Sequence, residues 1–150
     1  MTATNHALTG ALIGLAVHSP WVALPAAILS HFICDAVPHF GMAINTIGKP
    51  WFRLFLFLEA SLCGLIVLGL IVLHPFHWPF AVAGAFLAAS PDFMWINDFR
   101  RAQAGHQIQT RQPAILRFHG WIQWFERPIG GFVEATWAVS ALLLLKLFIV

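Results

Sequence analysis

Residues 51–73 read Trp51-Phe-Arg-Leu-Phe-Leu-Phe-Leu-Glu-Ala-Ser-Leu-Cys-Gly-Leu-Ile-Val-Leu-Gly-Leu-Ile-Val-Leu73, an apolar run interrupted only by Arg53 near its start and Glu59 within it. A helix needs about 20 such residues to cross about 30 Å of hydrocarbon, so this stretch predicts a membrane-spanning helix. The rest of the chain agrees. Of its 150 residues, 59% are hydrophobic and 9% charged, with a mean hydropathy of +0.78, whereas soluble domains carry about a quarter charged residues. The expectation is an all-α fold, a polytopic membrane bundle with four to five membrane helices, forming one domain over 1–150. A net charge of +2 is too small to point to nucleic acid as a partner. Cys34 and Cys63 lie in apolar helical stretches and read as packing residues. Met1–His6 has no basic n-region, so no removable signal peptide is expected.

Upstream of that span, Asn5–Val17 and Pro25–Val37 each predict a helix of about 13 residues, about 20 Å long. His18-Ser19-Pro20 separates them. Two half-length helices joined by a Pro-containing turn predict a short N-terminal helical hairpin, re-entrant or spanning. The rival is one kinked crossing over 6–38. Downstream, His74-Pro75-Phe76-His77 is a turn and Pro79 opens a span that runs to Ile96. Ser90-Pro91-Asp92 has the pattern of a helix restart, with Ser90 as cap and Pro91 at the first position. Residues 97–114 form the long polar segment. Residues 115–126 read as an interfacial helix with Trp121, Trp124 and Phe125 among polar groups, and Phe132–Val150 is the last span. With the hairpin, Lys49, Arg53, Arg100, Arg101, Arg111, Arg117 and Arg127 fall on one side of the bilayer and Lys146 towards the other. The positive-inside rule makes the first side cytoplasmic. The chain is thus expected in the cell's inner membrane with its N-terminus in the cytoplasm.

The densest chemistry is Ser30-His31-Phe32-Ile33-Cys34-Asp35-Ala36-Val37-Pro38-His39. His31 and Asp35 stand four apart and share one helix face. His39 follows by another four, although Pro38 ends the helix before it. In a membrane such groups are costly and point to function. The hairpin topology brings His6, His31, Asp35, His39, Glu59, Asp92, His119 and Glu126 to one cytoplasmic edge, with Gln123 and Glu126 on the same face as His119. Neutral imidazoles and carboxylates suit a divalent metal: zinc, with manganese or iron as alternatives. Membrane lipid, and a lipid-linked or phosphorylated substrate, are the partners such a site would meet, with the arginines holding phosphate.

His6 before a Gly-rich apolar helix (Leu8-Thr-Gly10-Ala-Leu-Ile-Gly14), the Ser30-His31…Asp35…Pro38-His39 element and Pro91-Asp92 together resemble the membrane-bound metal-dependent hydrolases of prokaryotes, also described as inner-membrane-associated hydrolases. The HxxxD element from His31 to Asp35 is also similar to that of the zinc-dependent phospholipase C group. The resemblance covers 4–42 and 88–95. It implies a helical bundle with a divalent-metal hydrolytic site in which His6, His31, Asp35, His39 and Asp92 are the ligands. Met94 stands where the family often shows a second acid, and His119 alone represents a later His-rich stretch. The expected function is metal-dependent hydrolysis of a phosphoester or other ester at the cytoplasmic face. Glu59 or Glu126 would be the general base, and His119 a proton donor or further ligand.

Each residue also has a plainer role. His6 can be a helix-start residue, and His31 with Asp35 can tie short helices together. Glu59 can pair with Arg53 or Arg100, and Asp92 can sit at a helix N-terminus for electrostatic reasons. Asp98 and His106 read as solvated, Glu134 stands outside the set, and His18, His74 and His77 read as interfacial at the far boundary. A metal or proton transporter would need polar residues continuing to the far face, and Leu62–Leu73 offers none. A non-catalytic structural protein, its polar cluster holding helices together, is the other alternative. A bis-histidine haem site is weaker still.

Overall fold

Helices account for the whole described architecture. The computed structural model describes residues 1–41, 46, 49–106 and 113–149. Helices α1 (Ala3–Ala16) and α2 (Pro20–Ala36) are followed by α3 (Pro50–Leu73) and α4 (Trp78–Ala89). A 3-10 segment, Ser90–Trp95, joins α4 to α5 (Ile96–Gln103). Then come α6 (Ala114–Ile122) and a 3-10 turn, Pro128–Gly130, that runs into α7 (Gly131–Ile149). Among the described residues no strand forms, and the β-type pairing is an isolated parallel bridge between His39 and Glu126. Arg111, the polar stretch over 107–112 and Val150 lie outside the described residues.

Three segments are long and apolar enough to cross a membrane: Pro50–Leu73, Trp78–Gln103 and Pro128–Ile149. α2 is a shorter apolar helix. It begins at Pro20, five residues before the predicted start, with that proline in the first turn, where a missing N–H costs nothing. Pro25 lies inside the helix on its exposed side. The predicted restart at Ser90 does not occur. The Ser90 hydroxyl donates back to the Leu87 carbonyl at 2.9 Å, and the chain tightens into a 3-10 turn through Pro91 without leaving the helical path. α6 ends at Ile122, short of the predicted Glu126. Past it the backbone turns extended to meet His39: the His39 N–H donates to Phe125 O at 3.4 Å, and the Arg127 N–H donates to His39 O at 3.1 Å.

α1 is the central helix, packed against α4, α2, α7 and α3. Its Ala7, Leu8, Ala11 and Leu15 form a core with Leu70, Ala81, Ala85, Ala141 and Leu145. Small residues let the backbones of α1 and α4 meet directly, as membrane helices do when dispersion must replace the hydrophobic effect. A Cβ built on Gly10 would lie 2.1 Å from the Gly84 carbonyl oxygen, and one on Gly14 would lie 2.2 Å from that of Phe80. α1 and α2 form the hairpin and not a single kinked crossing: His6, near the start of α1, reaches Asp35, near the end of α2, at 3.0 Å.

Candidate metal centre

The hairpin and the α1–α4 crossing carry histidines and acids from three elements to one point. His31 and Asp35 come from the last turns of α2, Asp92 from the 3-10 segment after α4, and His119 from α6. One potential ligand atom from each of the four lies within 4.8 Å of all the others. His31, Asp35 and His119 are fully buried, and the Asp92 side chain is 29% exposed. His31 Nε2 stands 2.9 Å from His119 Nε2, 3.2 Å from Asp35 Oδ2 and 3.7 Å from Asp92 Oδ1. His119 Nε2 stands 2.8 Å from Asp35 Oδ2 and 3.9 Å from Asp92 Oδ1.

This set can hold a metal ion. Ligands about 2.0–2.1 Å from a tetrahedral cation stand roughly 3.3 Å from one another, in the middle of the observed range. The hydrogen bonds around the set orient the ligand atoms. His31 Nδ1–H donates to the Ala88 carbonyl at 2.8 Å, which leaves a lone pair on Nε2 when the ring is neutral. Two imidazole nitrogens and two carboxylates then converge with at most one N–H between them. That arrangement needs protons or a cation to offset its own repulsion.

Around Asp35 the partners divide by oxygen. Oδ2 faces His31 and His119 and accepts from Gln123 Nε2 at 3.1 Å. Oδ1 faces His6 Nε2 at 3.0 Å and the Met1 nitrogen. The His6 ring stacks on that of His31, with centroids 4.0 Å apart. His6 therefore touches the group from behind as a partner of Asp35, outside the four convergent residues. Phe32 and Trp95 wall the His119 ring, with centroids 5.8 Å away in each case.

No family model, curated protein or solved structure matches this chain. The site is therefore read from its own geometry.

The other sequence candidates are placed differently. His39 is buried, but its Nδ1–H donates to Val37 O at 2.8 Å and its Nε2 has no partner among the described residues. It is not one of the four. Glu59 is turned to α1: one carboxylate oxygen accepts from the Thr4 N–H at 2.9 Å and the Thr4 hydroxyl at 2.8 Å. It is paired with neither Arg53 nor Arg100. Glu126 is not on the His119 face of α6, because it lies beyond the end of that helix, over Gly41. The residue is exposed overall, but partial desolvation of its carboxyl there raises its pKa, opposed by the nearby His39. His119, expected as a proton donor or further ligand, is one of the four. Asp98, expected to be solvated, is buried at 9% exposure.

Glu134 was outside the predicted set and proves central to the α1 start. It accepts from the Thr2 N–H at 3.0 Å, the Thr2 hydroxyl at 2.9 Å, the Phe40 N–H at 3.3 Å and the Asn5 side-chain amide. A lone acid within an apolar helix was the available signal. At the far end, the His18 and His77 rings lie 5.1 Å apart.

Proposed function

We propose that this chain is an integral membrane protein whose His31/Asp35/Asp92/His119 group binds a divalent metal, zinc by preference, and hydrolyses a phosphoester or ester of a lipid-linked substrate at the cytoplasmic face. One observation carries the reading: four ligand atoms from three separate elements converge within 4.8 Å, three of the residues being fully buried. The resemblance to membrane-bound metal-dependent hydrolases points the same way. A bound divalent metal would lower the pKa of a water towards neutrality and polarise the ester oxygen. The protein residues set the stage for that chemistry. His6 and Gln123 hold the Asp35 carboxylate from two sides, Ala88 fixes the His31 tautomer, and the partly exposed Asp92 marks the side open to substrate. Glu126, with its raised pKa, is the candidate proton acceptor nearest the cytoplasmic rim.

Elemental analysis of detergent-purified protein tests the metal assignment. About one divalent ion per chain is expected in the wild type and a substoichiometric amount in His31→Ala and Asp35→Ala, with membrane insertion intact. Hydrolysis of chromogenic phosphodiesters and lipid phosphoesters should be lost in the same two variants. Normal metal content in Asp35→Ala would reject the assignment. A metal-replete wild type inert towards every ester class would favour a structural role for the ion.

A further inference from the structure

α6 carries different chemistry on its two sides. Inward it presents His119, and just past its end Gln123, both in contact with Asp35. Outward it presents Ala114, Arg117, Phe118 and Trp121, which line an open groove of about 450 Å³. Trp121 is 73% exposed, and Trp124, just beyond the helix, is 69% exposed. Arg117 forms no ion pair among the described residues. α6 also has a defined place. It connects the end of one membrane-length segment, Trp78–Gln103, to the start of the next, Pro128–Ile149, and rests on the C-terminal end of α2, where Trp124 Nε1–H donates to Ala36 O at 3.2 Å. It therefore sits at the end of the bundle that holds the α2 C-terminus, which on the membrane reading proposed above is head-group level. There, indoles favour the interface and a guanidinium favours a phosphate.

The ties of α6 to the bundle are few. Besides the Trp124 bond they are the contacts of His119 with Asp35, His31 and Asp92, that of Gln123 with Asp35, the rings of Phe32 and Trp95, and the backbone bridge to His39 just past the helix. Whatever holds the outer face of α6 against the membrane also holds His119 in place. We propose that the Arg117/Phe118/Trp121 groove seats the phosphate and upper acyl region of an anionic phospholipid, and that this lipid tightens the grip of the His/Asp group on its metal. Arg117 lies two positions from His119, about 200° round the helix, so the seated lipid is a clamp on α6 and not the substrate. The coupling is reciprocal: metal binding strengthens lipid binding by the same factor. Its metal half rests on the metal assignment above; its lipid half does not.

The test places the protein in nanodiscs of phosphatidylcholine alone or with phosphatidylglycerol and measures zinc affinity by chelator competition. Beyond the gain the surface potential gives any divalent cation, zinc should bind up to about fivefold more tightly in the anionic discs, the most that one basic side chain's attraction to an anionic surface can transmit. Arg117→Gln should bind zinc as the wild type does in neutral discs and keep in anionic ones only the gain that the surface potential gives any divalent cation, losing the further wild-type gain. In metal-free protein, brominated phosphatidylglycerol should quench a component of emission that Trp121→Phe lacks. Equal zinc affinity in both discs, an undiminished gain in Arg117→Gln, or the same gain from inorganic phosphate in neutral discs would each overturn the clamp. If zinc binds in neither disc while bromolipid still quenches Trp121, the coupling falls with the metal assignment and the lipid seat survives. If zinc binds but no Trp121 quenching is seen, the clamp falls alone.

Discussion

A single methyl group at Gly10 should disturb the metal group without touching it. The Gly10→Ala Cβ would sit 2.1 Å from the Gly84 carbonyl oxygen, 2.6 Å from Ala88 Cβ and 2.6 Å from the Gly84 carbonyl carbon. Ordinary contact begins near 3.4 Å, so α1 and α4 must separate by about 1 Å, and backbone offers no flexible side chain to yield. Overpacking of this kind costs about 1–3 kcal/mol, offset by up to about 1 kcal/mol of helix propensity. Gly64→Ala in α3 is the control, since its Cβ would meet nothing within 4 Å and should be neutral or stabilising by up to about 1 kcal/mol. The separation also acts on the site. His6 rides on α1, one turn before Gly10, and the Ala88 carbonyl that fixes the His31 tautomer rides on α4. Disturbing such outer partners typically weakens metal binding about 10- to 100-fold. Thermal unfolding in detergent and zinc competition, run on both variants, give the comparison. If Gly10→Ala melts with Gly64→Ala and binds zinc as tightly as the wild type, the direct α1–α4 backbone contact is wrong, and so is its role in holding the site.

Glu59 should behave as a capping group: Glu59→Gln keeps an acceptor for Thr4 and leaves metal content and hydrolysis unchanged, whereas Glu59→Leu costs about 1–3 kcal/mol in unfolding assays. Loss of hydrolysis in Glu59→Gln with metal content intact would return it to the role of general base. Glu134→Ala strips the acceptor from four donors, three of them at the start of α1, and should destabilise by about 1–3 kcal/mol at least, seen as a lowered Tm at constant lipid. Partial desolvation raises the Glu126 pKa in the folded state, so the folded protein binds the more protons there. Stability should therefore fall as pH rises from the ordinary glutamate pKa through the folded one, and stay lower above it. Glu126→Gln should remove that part of the pH dependence of unfolding, and an unchanged profile would refute the partial desolvation of its carboxyl.

The residues legible from sequence were those whose partners are fixed by helical spacing and topology. His31 and Asp35 are one turn apart on α2, and the hairpin necessarily returns Asp35 to the level of His6. A same-side connection then brings Asp92 and His119 to that edge. What spacing cannot show is ring orientation. His39 follows the correct interval but spends its Nδ1–H on Val37 O, two residues back, because Pro38 has ended the helix and left that carbonyl free. Nor does spacing give the fate of Glu126, since the end of α6 is decided by a backbone bridge to a segment far away in sequence.

The acids were separable by a question the chain itself poses. The first N–H groups of any helix lack partners, and away from water each needs an acceptor. α1 has no acidic residue in its first turn and no side-chain cap of its own. Carboxylates must come from elsewhere, and the two that do are the lone acids of apolar helices, Glu59 of α3 and Glu134 of α7. Once they are assigned to the Thr2, Thr4 and Asn5 donors, Asp35 and Asp92 remain as the acids that meet both His31 and His119. The two groups of acids are linked through α1. Capping from α3 and α7 fixes the start of the helix, His6 sits in its first turns, and His6 holds Asp35. The metal group thus depends on two carboxylates that never touch it, and a variant that uncaps α1 should weaken metal binding even with all four convergent residues intact.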